Sequence, residues 1–285
     1  MLEAQFLRSW LFVPGDDKRK LEHAAASSAD AVIMDWEDAV LPERKPLARE
    51  LCREIQPLRR SGKRILLRIN SYHSRWHAAD LKAVPAIRPD GLVLPKCESA
   101  EEVQETIAIL REEAGDCPYD FCPIVESPLG LLRAESIATA SDQVRALLFG
   151  AHDFRAACEI HSSLDETELL MVRSAIVTVA KAYRLAAIDS PVIALDSLQT
   201  VREAAQRSFR LGFTGKLAIH PKHVPMIAEA FTPTSDEAKD AEEILQQATQ
   251  KMGAFAWKGQ MIDEAILEKA RRTVQRFQAH VKGQS

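Results

Sequence analysis

Short, unbroken apolar runs punctuate this chain at near-regular intervals, and between them apolar positions recur every three or four residues. The runs cover residues 9–14, 31–37, 64–70, 91–96, 121–126, 146–150, 186–188 with an extension to 195, and 216–220. Runs of this length, rich in Val, Ile and Leu, predict strands buried on both faces, as in a parallel sheet. The stretches between them, such as 100–113 and 169–185, have helical periodicity. Eight strand–helix alternations predict an α/β chain closed into a (β/α)8 TIM barrel. An open doubly wound sheet is the competing arrangement, but it usually has fewer strands and no GxGxxG turn follows the first run.

Beyond the eighth run the pattern changes. Thr232-Pro233-Thr234-Ser235-Asp236-Glu237 supplies turn and cap chemistry for a helix through Ala248. Residues 253–260 read as a loop or hairpin, and Ile262, Ile266, Ala270, Val274 and Phe277 recur at the spacing of a last helix. The expected organisation is a barrel domain over 1–231 and a C-terminal helical extension, or lid, over 232–285. Such an extension packs on its own barrel or reaches over a neighbouring subunit's mouth.

A charge is too costly to bury within an apolar strand, so it belongs at the strand's open end. In β/α proteins the carboxyl ends are where ligands sit. In chain order those ends carry Asp35, Glu37 and Asp38; Arg68 and Asn70; Lys96; Glu126; Asp153; Asp189; and His220. Lys96, Asp189 and His220 read best as rim ion pairs or structural groups. Arg68, Glu126 and Asp153 read as functional. A guanidinium grips a carboxylate through two parallel hydrogen bonds, while two carboxylates with waters and substrate oxygens suit Mg2+. Glu37 and Asp38, with Asp35, either hold the metal through its waters or orient Arg68, and Asp38 fits helix capping equally well.

Other polar residues are less telling. His73 and His77 have zinc-like spacing but lie in a loop-like stretch, so a surface role is expected. His152 is a pocket-lining candidate. Lys18, Arg19 and Lys20 follow a Pro14-Gly15 turn and by default form a solvated helix face. At the barrel mouth, Lys18 and Lys20 would also suit the phosphates of a large substrate.

Composition narrows the partners. The 285 residues are 46% hydrophobic and 27% charged, with a formal net charge of −4. No global basic field points to nucleic acid or an anionic membrane, and no apolar stretch is long enough to span a bilayer. With no export-like start, a cytoplasmic location is expected. Five irregularly spaced cysteines argue for free thiols.

Several motifs together resemble citrate lyase β-subunit-like proteins. They are Arg8-Ser9-Trp10-Leu11-Phe12-Val13-Pro14-Gly15, residues 29–40 around Asp35-Trp36-Glu37-Asp38, and Leu67-Arg68-Ile69-Asn70. Leu94-Pro95-Lys96, Ile124-Val125-Glu126-Ser127, Phe149-Gly150-Ala151-His152-Asp153 and Gly215-Lys216-Leu217-Ala218-Ile219-His220-Pro221 continue the match over nearly the whole chain. The resemblance implies the HpcH/HpaI aldolase and citrate lyase superfamily, which includes malyl-CoA and citramalyl-CoA lyases. It implies that Arg68 binds a substrate carboxylate and that Glu126 and Asp153 bind Mg2+. Gly259-Gln260-Met261-Ile262-Asp263 resembles the lid motif of the acyl-CoA lyases, whose aspartate acts in an adjacent subunit's site. That makes Asp263 a catalytic candidate and implies a homo-oligomer, a trimer or hexamer. Trp36, His23, Ala151-His152 and Glu264-Ala265 depart from the common pattern, while the arginine and metal positions match it.

The expected activity is Mg2+-dependent carbon–carbon cleavage of a 3-hydroxy-3-carboxyacyl thioester, carried on CoA or an acyl-carrier protein. The alternatives are an aldolase acting on a free hydroxy-oxo acid and a non-catalytic barrel subunit.

Overall fold

A computed structural model describes residues 4–54, 56–163, 165–249 and 253–281. Eight parallel strands close into a barrel in sequence order, with the last pairing to the first. They are β1 (Ser9–Pro14), β2 (Ala31–Asp35), β3 (Arg64–Arg68), β4 (Gly91–Leu94), β5 (Asp120–Val125), β6 (Ala146–Phe149), β7 (Ala186–Asp189) and β8 (Gly215–Ala218). The helices around them are α1 (Lys18–Ala26), α2 (Lys45–Leu51), α3 (Gln56–Arg60), α4 (His77–Ile87), α5 (Ala100–Ala114), α6 (Pro128–Leu132), α7 (Ala134–Ala138), α8 (Ala151–Ala157), α9 (Leu170–Ala182), α10 (Leu198–Leu211) and α11 (Val224–Phe231). The expected (β/α)8 barrel is the observed fold.

The strands are filled as a closed barrel requires. One buried cluster contains Trp10, Ile33, Leu66, Val93, Cys122, Ile124, Leu148, Ile188 and Leu217, so every strand contributes. Filling the interior from all sides in this way makes a packed core rather than a pore. Each leucine-sized side chain buried there is worth roughly 1.5–3 kcal/mol.

Most strands stop short of their apolar runs, and at β2 and β7 the reason is local. β2 ends at Asp35 because that carboxylate accepts hydrogen bonds from the backbone of Glu37 (2.8 Å) and Ala39 (3.1 Å), folding the chain into a turn. β7 ends at Asp189 rather than reaching residue 195. Pro191 lacks a ladder donor, and Ser197 already caps α10 by accepting from the Thr200 amide.

The chain divides into two compact units, Met1–Ala228 and Glu229–Ser285. In the second, α12 (Ser235–Ala248) begins at a capping box in which Thr234 and Glu237 satisfy each other's backbone. A hairpin follows, β9 (Phe255–Trp257) and β10 (Gln260–Ile262). Its two turn residues, Lys258 and Gly259, have φ of 44° and 80°, as a tight two-residue hairpin demands. Ile262 therefore belongs to a strand, and the last helix, α13, runs over Glu264–Val281. Ala241, Ile244, Phe255, Ile262 and Ala270 form this unit's own core. Among the described residues, no helix is long and apolar enough to cross a membrane.

Candidate active site

Barrel closure sets Asp35 and Arg68 opposite each other as register partners at the ends of β2 and β3. The pairing is bidentate. Arg68 Nε donates to Asp35 Oδ1 at 2.7 Å and Nη2 to Oδ2 at 2.5 Å. One paired-donor edge of the guanidinium is thus taken by a neighbour within the fold, which leaves the edge formed by Nη1 and Nη2. Arg68 Nη1 also lies 3.0 Å from Glu37 Oε2 and 3.9 Å from Asp38, and the guanidinium stacks on Phe12 at 4.7 Å. Burial opposes its charge, but Asp35, Glu37 and Asp38 outweigh that cost and hold it protonated.

The turn carrying Glu37 is fastened from behind. Buried Lys45 donates from Nζ to the carbonyls of Trp36 (2.8 Å) and Glu37 (3.0 Å) and to Asn70 Oδ1 (2.7 Å). Asn70 in turn donates through Nδ2 to Trp36 O at 3.0 Å and Asp80 Oδ2 at 2.6 Å. Lys45 and Asp80 were not singled out from the sequence. Lys45 opens α2 and Asp80 lies within α4, both away from any strand end in sequence, and no local motif marks them.

Lys96 follows β4 with a left-handed backbone, φ 52°. Its N–H donates to Glu126 Oε1, 2.6 Å away. Its ammonium donates to Glu37 and, at 3.4 Å, to Asp38. The expected rim ion pair is present, and it also links the acidic turn to the Glu126 backbone cradle.

Glu126 is buried directly beyond β5, close enough to Asp153, in the first turn of α8, for the two carboxylate charges to interact. Burial, then Asp153, then Glu37 raise its pKa well above the ordinary carboxylate value. Gly150 makes room for Glu126, since a Cβ there would overlap its side chain. Two carboxylates this close repel unless a proton or cation lies between them. The donor set fits a hard divalent cation that keeps part of its hydration. Among the described residues no group of three or more His, Cys, Asp or Glu side chains is arranged to hold a metal. Two carboxylates, not a closed protein cage, are what the site offers.

Other candidates fall elsewhere. Lys18 and Lys20 are exposed in the first turn of α1, with Lys20 3.7 Å from the capping Asp17. Asp38 caps no helix. It is exposed and serves the Arg68 and Lys96 charges instead. His77 is buried rather than superficial, its Nδ1 2.9 Å from Asn70 O, because it opens α4 against the end of β3. His73 is exposed, and so is His152, the residue before Asp153. His220 accepts from the Lys222 amide and starts the turn after β8. Asp189 lies in a buried network with Arg173, Lys216 and Ser208. Asp263 belongs to the second unit, where its Oδ1 accepts from the Ile266 amide at 3.0 Å and caps α13. All five cysteines are free thiols, four of them buried.

A family model described as HpcH/HpaI aldolase/citrate lyase matches residues 8–221. Human mitochondrial citramalyl-CoA lyase is 31% identical over 286 residues, spanning 94% of this chain and 84% of its own. The citrate lyase subunit beta of Leuconostoc mesenteroides is 30% identical, spanning 94% and 92%. Among solved structures, CitE of Mycobacterium tuberculosis in complex with magnesium, acetoacetate and coenzyme A superposes with a TM-score of 0.82 at 30% identity, covering 96% of this chain and 99% of that one.

Proposed function

The chain belongs to the HpcH/HpaI aldolase/citrate lyase family, and on that premise we propose that its barrel mouth cleaves a carbon–carbon bond in a 3-hydroxy-3-carboxyacyl thioester. Citramalyl-CoA, malyl-CoA and a citryl thioester are the candidate substrates. The observation that carries this reading is the Glu126–Asp153 carboxylate pair beside the Arg68 cluster.

Glu126 and Asp153 would hold Mg2+, which supplies Lewis acidity that lowers the pKa of a bound hydroxyl. Arg68, kept charged and fixed by Asp35, orients the substrate carboxylate through its remaining Nη hydrogens. Glu37 and Asp38 fix Arg68 and Lys96 and so set the charge around the reacting carbon. Loss of the hydroxyl proton forms the new carbonyl as the bond to the thioester α-carbon breaks. Its electron pair becomes a thioester enolate, which a proton then quenches, giving a 2-oxo acid and an acyl thioester. Asp263 of a neighbouring subunit in a homo-oligomer is the proposed acid/base group, and Lys18 and Lys20 the phosphate contacts. The Mycobacterium relative with magnesium, acetoacetate and coenzyme A supports the thioester reading over an aldolase acting on free acids.

The test is mass-spectrometric assay of the purified protein with Mg2+ and malyl-, citramalyl- and citryl-CoA. Release of the matching 2-oxo acid from one of them is expected. Mg2+ binding without turnover of any would favour the non-catalytic barrel subunit.

A further inference from the structure

Between α9 and α10 on the barrel's outer wall, beside the carboxyl end of β7, lies a cavity of about 250 Å3. Arg173, Arg207 and Arg210 line it, with Asp189 and Ser208. Behind them Lys216 of β8 is buried against Asp189. Both Asp189 oxygens are already committed, Oδ1 to Arg173 and Oδ2 to Lys216 and Ser208. The Nη2 group of Arg173 and the guanidinium of Arg207 are therefore left to a different anion.

That anion is Glu166. It enters from the loop before α9 with a left-handed backbone, φ 53°, a conformation a residue with a side chain rarely adopts. Its carboxylate meets three guanidiniums from three helices: Arg155 of α8 at 2.7 Å, Arg173 of α9 at 2.9 Å and Arg207 of α10 at 3.8 Å. One monoanion with two oxygens faces three planar donor forks, and the third contact is the long one.

The charge count points the same way. Arg155, Arg173, Arg207, Arg210 and Lys216 are five cations around this space. Asp165, Glu166, Glu168 and Asp189 are the four carboxylates. With Glu166 turned out, five cations would face three carboxylates, a surplus matching a dianion. A tetrahedral oxyanion also presents one oxygen to each guanidinium, which a carboxylate does not.

We propose that this outer-wall cavity is an oxyanion site for a phosphoryl-type dianion, in which the Glu166 carboxylate is the resident occupant that the dianion displaces. The site is independent of the chemistry assigned to the mouth. It touches α8 through Arg155, two residues beyond Asp153, so occupancy would be felt by the helix that carries that carboxylate.

Isothermal titration of inorganic phosphate into Mg2+-free protein tests this. Wild type should bind one phosphate per chain. Arg207→Gln, a half-exposed position that leaves the Glu166–Arg173 pair in place, should weaken binding about tenfold. Glu166→Gln, removing the competing charge, should tighten it about tenfold. The contrast between wild type and Arg207→Gln stands even where Glu166→Gln folds poorly. No binding to wild type overturns the proposal. So does binding that Arg207→Gln leaves unchanged, which would mark an adventitious ion only.

Discussion

At the outer wall, Asp189 is wholly buried between two cations and a hydroxyl, and each of its oxygens accepts from at least one of them. At the mouth, Glu126 is almost as buried, yet its neighbours include Asp153 and Glu37, which carry its own sign of charge. Glu37 Oε2 is also buried without a hydrogen bond, although it is ion-paired with Arg68. The first set of contacts, those of Asp189 itself, is closed, and the oxyanion proposed above exchanges with Glu166 at its edge. The second is open, with negative charge gathered faster than the fold neutralises it. Stability accounts for the closed network. The open one costs stability and is explained by something that binds there.

The comparison breaks most visibly at Asp153. Asp153→Asn should remove a cation ligand and one of two repelling charges together. Loss of a group merely supporting a metal ligand typically costs 10- to 100-fold, so losing the ligand should lower turnover by more than about 100-fold. In the Mg2+-free protein the same change should raise the melting temperature. A variant that keeps its activity, or melts lower without metal, would make the mouth another closed network.

At the outer wall the sign reverses. Asp189→Ala strands buried Lys216 and Arg173 and should cost about 3–5 kcal/mol in urea denaturation. Adding Lys216→Met should recover part of that loss. An Asp189→Ala protein as stable as wild type would mean that the network is not balanced as the contacts imply.

Acid sharpens the same contrast. Asp189 and Glu166 are held below the ordinary carboxylate range, because the charges of Lys216 and Arg173 at Asp189, and of Arg173 and Arg155 at Glu166, outweigh burial. A lowered carboxylate stabilises the fold above its unfolded pKa and loses that contribution as pH falls through its folded value. Wild type and Glu166→Gln should therefore differ in stability near neutrality and converge as pH drops below about 4. Denaturation midpoints against pH measure this, and a constant gap would place the Glu166 contribution in packing instead of charge.

The barrel was legible because its strands are short apolar runs at regular spacing, a signal carried by composition alone. Arg68, Glu126 and Asp153 could be picked out as candidates because a charge at the end of such a run stands apart from its apolar neighbours. What the pattern did not carry was pairing. That Arg68 spends one bidentate edge on Asp35 follows from β2–β3 register, and register depends on closure. Lys45 works through backbone carbonyls of a turn 8 and 9 residues earlier in the chain, so no spacing rule exposes it. The extension of β7 failed for a local reason, since residues 190–195 are apolar enough for a strand but contain Pro191. His77 was misplaced because the helix it opens begins within a stretch that reads as loop.

Asp263 gives the smallest stability effect and the finest test. Its carboxylate is satisfied within its own chain, as the cap of α13, so by the contrast above it would be a structural group. Asparagine caps a helix about as well as aspartate, whereas alanine forfeits about 1 kcal/mol. Asp263→Ala should therefore melt lower and Asp263→Asn should not. If Asp263 also supplies a proton in a neighbouring subunit's site, both variants should lose turnover, because the amide of asparagine caps but does not take up or release a proton at neutral pH. Thermal melts and turnover on the pair separate the two roles. Full activity in a stable Asp263→Asn protein would leave the cap as its whole contribution.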